Sequence, residues 1–287
     1  MKGRSILVTG ASGFLGSVIL SHLNGLGARV IGTSRTGEIP VDLEDPRSLE
    51  SLKSSGPFDS LVHCAAVLPG KRADSDVLNA NLMMTNHVLE WANQEGVQQF
   101  CFLSSCSIYG NASSPCNEET LPAPASVYGV SKLACEQMIR IAFPDALLLR
   151  VSAPYGPHLR LETVVKRFLM AASENRPIPL MGEGSREQHF VFEKDVARAV
   201  SLALTKDAAG LFNVSGDAPV SMRHLAGIVL RIFGGTEEDS IHCSGLDPQE
   251  DYRGNFPFDA ATKAFGYRPE TSLDAGLREC ARSWGLL

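Results

Sequence analysis

Thr9-Gly10-Ala11-Ser12-Gly13-Phe14-Leu15-Gly16 is the stretch whose reading decides the fold. It follows the apolar run Ser5-Ile6-Leu7-Val8, which reads as a strand, and opens a helical pattern over residues 14–26. Three glycines therefore fall at a strand-to-helix turn. Without a Cβ, glycine permits positive φ, admits close approach of a ligand and lets the helix pack tightly on the strand. The first helical turn then offers unpaired N–H groups and the positive end of its dipole to a pyrophosphate. The spacing differs by one residue from the G-x-G-x-x-G dinucleotide fingerprint, so Gly10, Ser12, Gly13, Phe14, Leu15 and Gly16 are candidate cofactor contacts.

Outward from that turn, strand-like runs recur at residues 28–33, 38–41, 61–64, 99–103 and 146–151. Helical patterns lie between them at 46–53, 76–95 and 128–141, the second with Leu78, Leu82, Val88, Leu89 and Trp91 as expected core contacts. Strands alternating with helices at this spacing predict an α/β fold, a doubly wound parallel sheet of Rossmann type covered on both faces. After Pro154 the texture changes, with prolines punctuating shorter elements and helical patterns at 162–173, 194–204, 221–233 and 273–284. The expected division is a dinucleotide-binding domain at 1–152 and a smaller substrate-capping domain at 153–287, with residues of about 190–215 packing back on the first.

Composition bounds the function. The 287 residues carry a net charge of −6, 44% hydrophobic and 20% charged residues, and no long run of either sign, which argues against nucleic acid as the main partner. Seven cysteines without a C-x-x-C pair fit a reduced, cytoplasmic setting, and no grouping has metal-ligand spacing. Met1-Lys2-Gly3-Arg4 leads directly into the first strand and no apolar run approaches ~18 residues, so neither a signal peptide nor a membrane span is expected.

Tyr128 and Lys132, four apart on a helical pattern, project from one face. A nearby ammonium is expected to lower the phenol from about 10 by about 1–3 units, toward general acid/base use. Ser105 closes the strand at 99–103 and can hydrogen-bond a reacting oxygen, completing a proton relay beside a nicotinamide. Small residues after His63, namely Ala65 and Ala66, leave room for a ligand at a strand's carboxyl end. His63 itself reads as packed near the cofactor. The second strand ends in Thr33-Ser34-Arg35-Thr36 with no acid before Glu38. Arg35 can fork onto a 2′-phosphate and Ser34 can donate to it, so NADP(H) is expected in preference to NAD.

In this order the motifs resemble the extended short-chain dehydrogenases/reductases, the NAD(P)-dependent family of nucleotide-sugar epimerases, dehydratases and ketoreductases. They are Thr9-Gly10-x-x-Gly13-x-x-Gly16, His63-x-Ala65-Ala66, Asn81 before Thr85-Asn86, Ser104-Ser105 before Tyr109-Gly110, and Tyr128-x-x-x-Lys132. Further on come Arg150 before Pro154-Tyr155-Gly156-Pro157, Arg186-Glu187-Gln188-His189-Phe190, and Asp259 before Phe265-Gly266-Tyr267. The resemblance implies Tyr128 as acid/base, Lys132 on the ribose, Ser105 on the substrate oxygen and Asn81 in support. It adds Asp42, Leu43, Ala65, Ala66, Pro154 and Tyr155 to the cofactor contacts. On the substrate side it implies Cys106 and Ser107, with Arg186 and Arg253 at positions for a diphosphate.

Departures narrow the chemistry. Dehydratases of the family carry Asp-Glu after the catalytic Ser/Thr; here Cys106-Ser107 stands there, which leaves hydride chemistry without elimination. The leading expectation is a nucleotide-sugar 4-ketoreductase using NADPH, with a 4-epimerase holding NAD tightly as the alternative. A non-catalytic NADP(H) sensor is a second alternative. Ala153 replaces the family's asparagine before the Tyr-Gly-Pro loop, which leaves a small lipid-like or phenolic ketone open as substrate. The helices at 76–95 and 128–141 offer apolar faces on which relatives form homodimers.

Overall fold

The computed structural model describes residues 1–37, 39–70, 73–111, 115–236 and 240–287; Glu38, at the start of the expected third strand, lies outside them. The first half runs β1 (Ser5–Thr9), α1 (Phe14–Gly25), β2 (Arg29–Ser34), β3 (Ile39–Pro40), a 3-10 helix (Pro46–Ser55), β4 (Ser60–His63), α2 (Asp74–Gln94), β5 (Gln99–Ser105), a 3-10 turn (Cys106–Tyr109), α3 (Val127–Ala142) and β6 (Leu147–Val151). The second half adds β7 (Ala153–Tyr155), α4 (Val164–Ser173), β8 (Ile178–Met181), β9 (Glu187–Gln188), β10 (Phe190–Phe192), α5 (Glu193–Thr205), β11 (Gly210–Val214), β12 (Val220–Ser221), α6 (Met222–Ile232), β13 (Ile241–Ser244), α7 (Asp259–Phe265) and α8 (Leu273–Ser283).

Seven strands form one parallel sheet in the order β11-β6-β5-β4-β1-β2-β3. β4 and β6 are buried at every position, as expected of strands covered on both faces. Side chains alternate across the sheet. Ile6, Val8, Leu103, Leu147 and Leu149 pack with Ile19 and Leu23 of α1 and Val196 and Val200 of α5. Leu7, Leu61, Phe100, Phe102 and Leu148 pack on the other face with Val88 and Trp91 of α2 and Ile139 of α3. On α2, Leu78 and Leu82 are only half-buried; the buried stripe runs through Val77, Ala80, Asn81, Met84, Thr85 and Val88. Two polar residues on that stripe displace the register that apolar residues alone predict.

A further core joins α4, α6 and α8, where Phe168, Leu169, Leu225, Val229 and Leu277 surround Tyr155, Phe190 and Phe192. Among the described residues no helix is long and apolar enough to cross a membrane. β1 and β4 are neighbours whose connections leave in opposite directions along the sheet, and a crevice forms beyond their carboxyl ends.

Candidate active site

The turn after β1 is shaped by contact. Gly10 has φ +67, and a Cβ there would lie 2.7 Å from the backbone N of Ala65. A Cβ on Gly16 would lie 2.2 Å from the carbonyl oxygen of Gly10, so Gly16 serves the packing of α1 against its own entry turn. Gly13 is the N-cap of α1 and brings no side chain to the first amides, and no acid occupies the first turn.

These features open onto a groove of about 280 Å³. Gly10, Ser12 and Gly13 form one wall, Ser34 and Arg35 the end of β2, Asp42 and Leu43 the far side, and Ala65 and Ala66 the β4 side. Phe14, Leu15 and Gly16 are not walls. Thr33, Thr36, Val41, Glu44, Cys64, Val67 and Met84 are walls that motif reading misses; all but Met84 adjoin a predicted contact in sequence, the signal by which they could have been found. Among the described residues Ser34 Oγ is buried with no hydrogen-bond partner, while Arg35 is exposed. A glycine-lined entry, uncapped helix amides and an orphan hydroxyl beside a guanidinium fit a dinucleotide.

A second set of residues gathers at the carboxyl end of β5. Lys132 Nζ donates to the carbonyl of Leu103 at 2.8 Å and lies 4.5 Å from the centre of the Phe102 ring and 5.7 Å from that of Tyr128. A Cβ on Gly129 would lie 2.8 Å from the carbonyl oxygen of Ser107, so the first turn of α3, with Tyr128, abuts the turn that follows Ser105. Ser105 Oγ accepts from the Ser107 amide at 3.1 Å, which leaves its own proton to donate. Asn81 Oδ1 accepts from the Val67 amide at 2.7 Å, and its Nδ2 donates to the Val67 carbonyl at 3.1 Å and to Ser131 Oγ at 3.0 Å.

The electrostatics differ from the expectation. Burial pushes the Tyr128 phenol up, not down, and lowers Lys132 to about 8. The ammonium is directed at a carbonyl and an aromatic face, and the phenol's own desolvation, followed by the nearby Cys135, sets its shift. Cys106 also departs: it is 3% exposed, its Sγ donates to the Arg150 carbonyl at 3.3 Å, and burial pushes its thiol well above the ordinary value. Its side chain belongs to the interior, whereas Ser107 Oγ is buried without a partner among the described residues.

Tyr155 is likewise a core residue, 3% exposed, its ring 5.4 Å from Phe192 and 6.1 Å from Phe190. Pro154 stays half-buried in β7, opposite Val191. Arg253 lines a polar groove of about 570 Å³ with Glu183, Glu187, Arg223 and Cys243. Arg186 lies outside that lining, with Nε 3.2 Å from Asp247 Oδ2 and Nη1 donating to Gln249 at 2.8 Å.

Known proteins match this arrangement along nearly its whole length. "Uncharacterized UDP-glucose epimerase YtcB" of Bacillus subtilis (strain 168) is 26% identical over 307 aligned positions, covering 95% of each chain. A dTDP-4-dehydro-6-deoxy-D-allose reductase of a Streptomyces species is 26% identical over 319 positions, covering 99% of this chain and 97% of its own. The solved structure of MoeE5 in complex with UDP-glucose and NAD superimposes with a TM-score of 0.87 at 26% identity, covering 98% of both chains. Dehydratases also occur among the relatives. Residues 6–215 match the model of the NAD dependent epimerase/dehydratase family, and the chain belongs to that family of enzymes, within the extended short-chain dehydrogenases/reductases.

Proposed function

We propose that this enzyme reduces the 4-keto carbon of a nucleotide-linked sugar using NADPH. The observation that carries the reading is the end of β2, where Ser34 Oγ, without a partner among the described residues, and the Arg35 side chain share the groove and neither position holds a carboxylate. A 2′-phosphate takes a guanidinium and a hydroxyl, whereas a free 2′-OH takes an acid. The nucleotide-sugar class is supported by the names of the relatives and by the ligands of MoeE5.

When bound, the dinucleotide supplies hydride to the carbonyl carbon. Tyr128, kept protonated by burial, gives its proton to the oxygen that gains charge. Ser105 donates to the same oxygen with the proton left free by its bond from Ser107. Lys132, at about 8, is mostly ammonium at neutral pH and has donors beyond the one given to Leu103 for ribose hydroxyls. Asn81 supports the site by fixing Val67 in the groove wall. After Ser105 stand a thiol held protonated and a hydroxyl, so neither an acid for a leaving hydroxyl nor a base for a C–H is at hand there. Of residues 153–287, those outside about 190–215 supply the substrate side, since α5 packs on the sheet and β11 belongs to it. Arg253 is the better diphosphate contact, because among the described residues its Nη1 donates only to the neutral carbonyls of Glu250 and Tyr252, whereas the charge of Arg186 is already paired with Asp247.

The test is to denature freshly purified protein and identify any dinucleotide released. Protein without bound NAD that binds NADPH more tightly than NADH, and then consumes it with a nucleotide 4-keto sugar, supports the reading. Near-stoichiometric NAD overturns it in favour of a 4-epimerase.

A further inference from the structure

Thr9, His63, Thr85 and Cys135 come from four elements, β1, β4, α2 and α3, and all four are buried. Thr9 Oγ1 lies 2.7 Å from His63 Nδ1, and His63 Nε2 lies 3.2 Å from Thr85 Oγ1. Thr85 Oγ1 then lies 3.2 Å from Cys135 Sγ, which lies 3.6 Å from the carbonyl oxygen of Asn81. At the other end the backbone N of Ala65 lies 3.5 Å from Thr9 Oγ1.

The Asn81 carbonyl end fixes the direction of every bond back to Thr9, and the Ala65 amide end agrees with it. A backbone amide only donates and a carbonyl only accepts, and each hydroxyl, thiol and neutral imidazole has one proton to give. The Ala65 N–H donates to Thr9, the Thr9 O–H to His63 Nδ1, the His63 Nε2–H to Thr85, the Thr85 O–H to Cys135, and the Cys135 S–H to the Asn81 carbonyl.

We propose that this one-directional chain is a clasp that presets the dinucleotide groove, with His63 as its positioning residue in the neutral Nε2–H tautomer. The inference rests on the reading of the groove as a dinucleotide site. Both ends of the clasp are attached to groove walls. Thr9 precedes Gly10, and Gly10 and Ala65 face each other across the space that a Cβ would close to 2.7 Å. Asn81 holds Val67, a third wall, through both its amide and its carbonyl. Asn81 also reaches Ser131, whose Oγ donates to the carbonyl of Tyr128 at 2.8 Å. The separation of the glycine turn from the loop after β4 is thus set from inside the protein. Burial keeps His63 uncharged, lowered to about 3, and the Lys132 ammonium acts in the same direction, while the Phe100 and Phe102 rings flank the imidazole.

Two measurements on the full-length protein test the clasp. Ring ¹⁵N chemical shifts of wild type are expected to show His63 as the Nε2–H tautomer; the Nδ1–H form overturns the chain's direction. Fluorescence titration with NADPH and NADH, beside a thermal melt, is then compared for wild type, Thr85→Val and Thr85→Ser. Losing the hydroxyl in Thr85→Val is expected to weaken binding of the preferred dinucleotide about five- to tenfold, and Thr85→Ser, which keeps it, to stay within about twofold. A Thr85→Val protein that melts earlier yet binds as wild type does overturns the positioning role and leaves only a structural one. If wild type binds neither dinucleotide, the cofactor reading itself falls, and the tautomer still decides the bonding. Should Thr85→Val not fold, Thr85→Ala with the same titration takes its place.

Discussion

Arg150 and Glu136 meet in a two-pronged ion pair, Nε to Oε1 at 3.0 Å and Nη2 to Oε2 at 2.7 Å, with side chains 4% and 1% exposed. Ser104, the neighbour of Ser105, donates to Glu136 Oε1 at 2.5 Å, and Arg150 Nη1 donates to the Tyr109 hydroxyl at 3.0 Å. Removing one partner strands the other charge in the interior, at a cost of about 3–5 kcal/mol. Glu136→Gln is expected to lose that much stability in urea unfolding. The double variant Glu136→Gln/Arg150→Met is expected to lose less than Glu136→Gln alone; an equal or larger loss would show that the charges are not coupled.

Tyr128→Phe removes the proposed proton donor and keeps the ring beside Lys132. Turnover is expected to fall by about 10²–10⁴-fold with dinucleotide affinity within about twofold of wild type. Steady-state rates with a parallel titration check it, and near-normal turnover would remove Tyr128 from the reaction.

Arg35→Ala takes the guanidinium from the end of β2 and leaves the orphan Ser34 hydroxyl in place. Loss of a charge-assisted contact to a phosphate is expected to weaken NADPH by about 10–100-fold and to change NADH by less than about threefold. No effect on either dinucleotide would assign Arg35 to solvent, and an equal loss for both would assign it to a part of the ligand that the two share.

Acid should unfold the protein through its buried imidazoles. Burial lowers His63 to about 3 and His189 to about 4; His189 Nε2 donates to the Gly216 carbonyl at 3.0 Å and its Nδ1 accepts from the Phe256 amide at 3.1 Å. Unfolded, each titrates near ~6.5, so between that pH and the folded value the unfolded chain binds more protons. The stability is complete above about pH 6.5 and is lost as pH falls, by about 1.4 kcal/mol per pH unit for each histidine. Between pH 7 and 5, His189→Gln is expected to lose about 2 kcal/mol less than wild type in urea titrations. Identical losses would mean that His189 is not the group responsible.

What is legible in the sequence is what neighbouring residues decide. The glycine turn at Gly10 and the shared face of Tyr128 and Lys132 depend on local geometry, and both stand where the motif puts them. Tyr155 does not, because its ring is enclosed by partners such as Gly276 and its hydroxyl lies 3.5 Å from the carbonyl of Leu273, 118 positions away. The phenol of Tyr128 moves up because burial is a sum over distant elements, which no spacing of two residues reports. Thr85 reads as a polar interruption of an amphipathic helix until His63 and Cys135 arrive on either side of it. Gly210–Val214 carries a polar Asn213 at a fully buried position, and its partner, the Tyr109 hydroxyl at 2.8 Å, is 104 positions upstream.

The sheet order has a consequence for the chain's birth. β6 is buried at all five positions between β5 and β11, but β11 is made only after the whole segment from Ser152 to Ala209. At about 5–20 residues per second, a ribosome leaves that apolar edge open for about 3–12 seconds. During that interval Leu147, Leu148 and Leu149 present unpaired backbone to any other nascent strand. A chain stopped at Ser152 should therefore be captured by chaperones or precipitate, and supplying the residues through Val214 should release it.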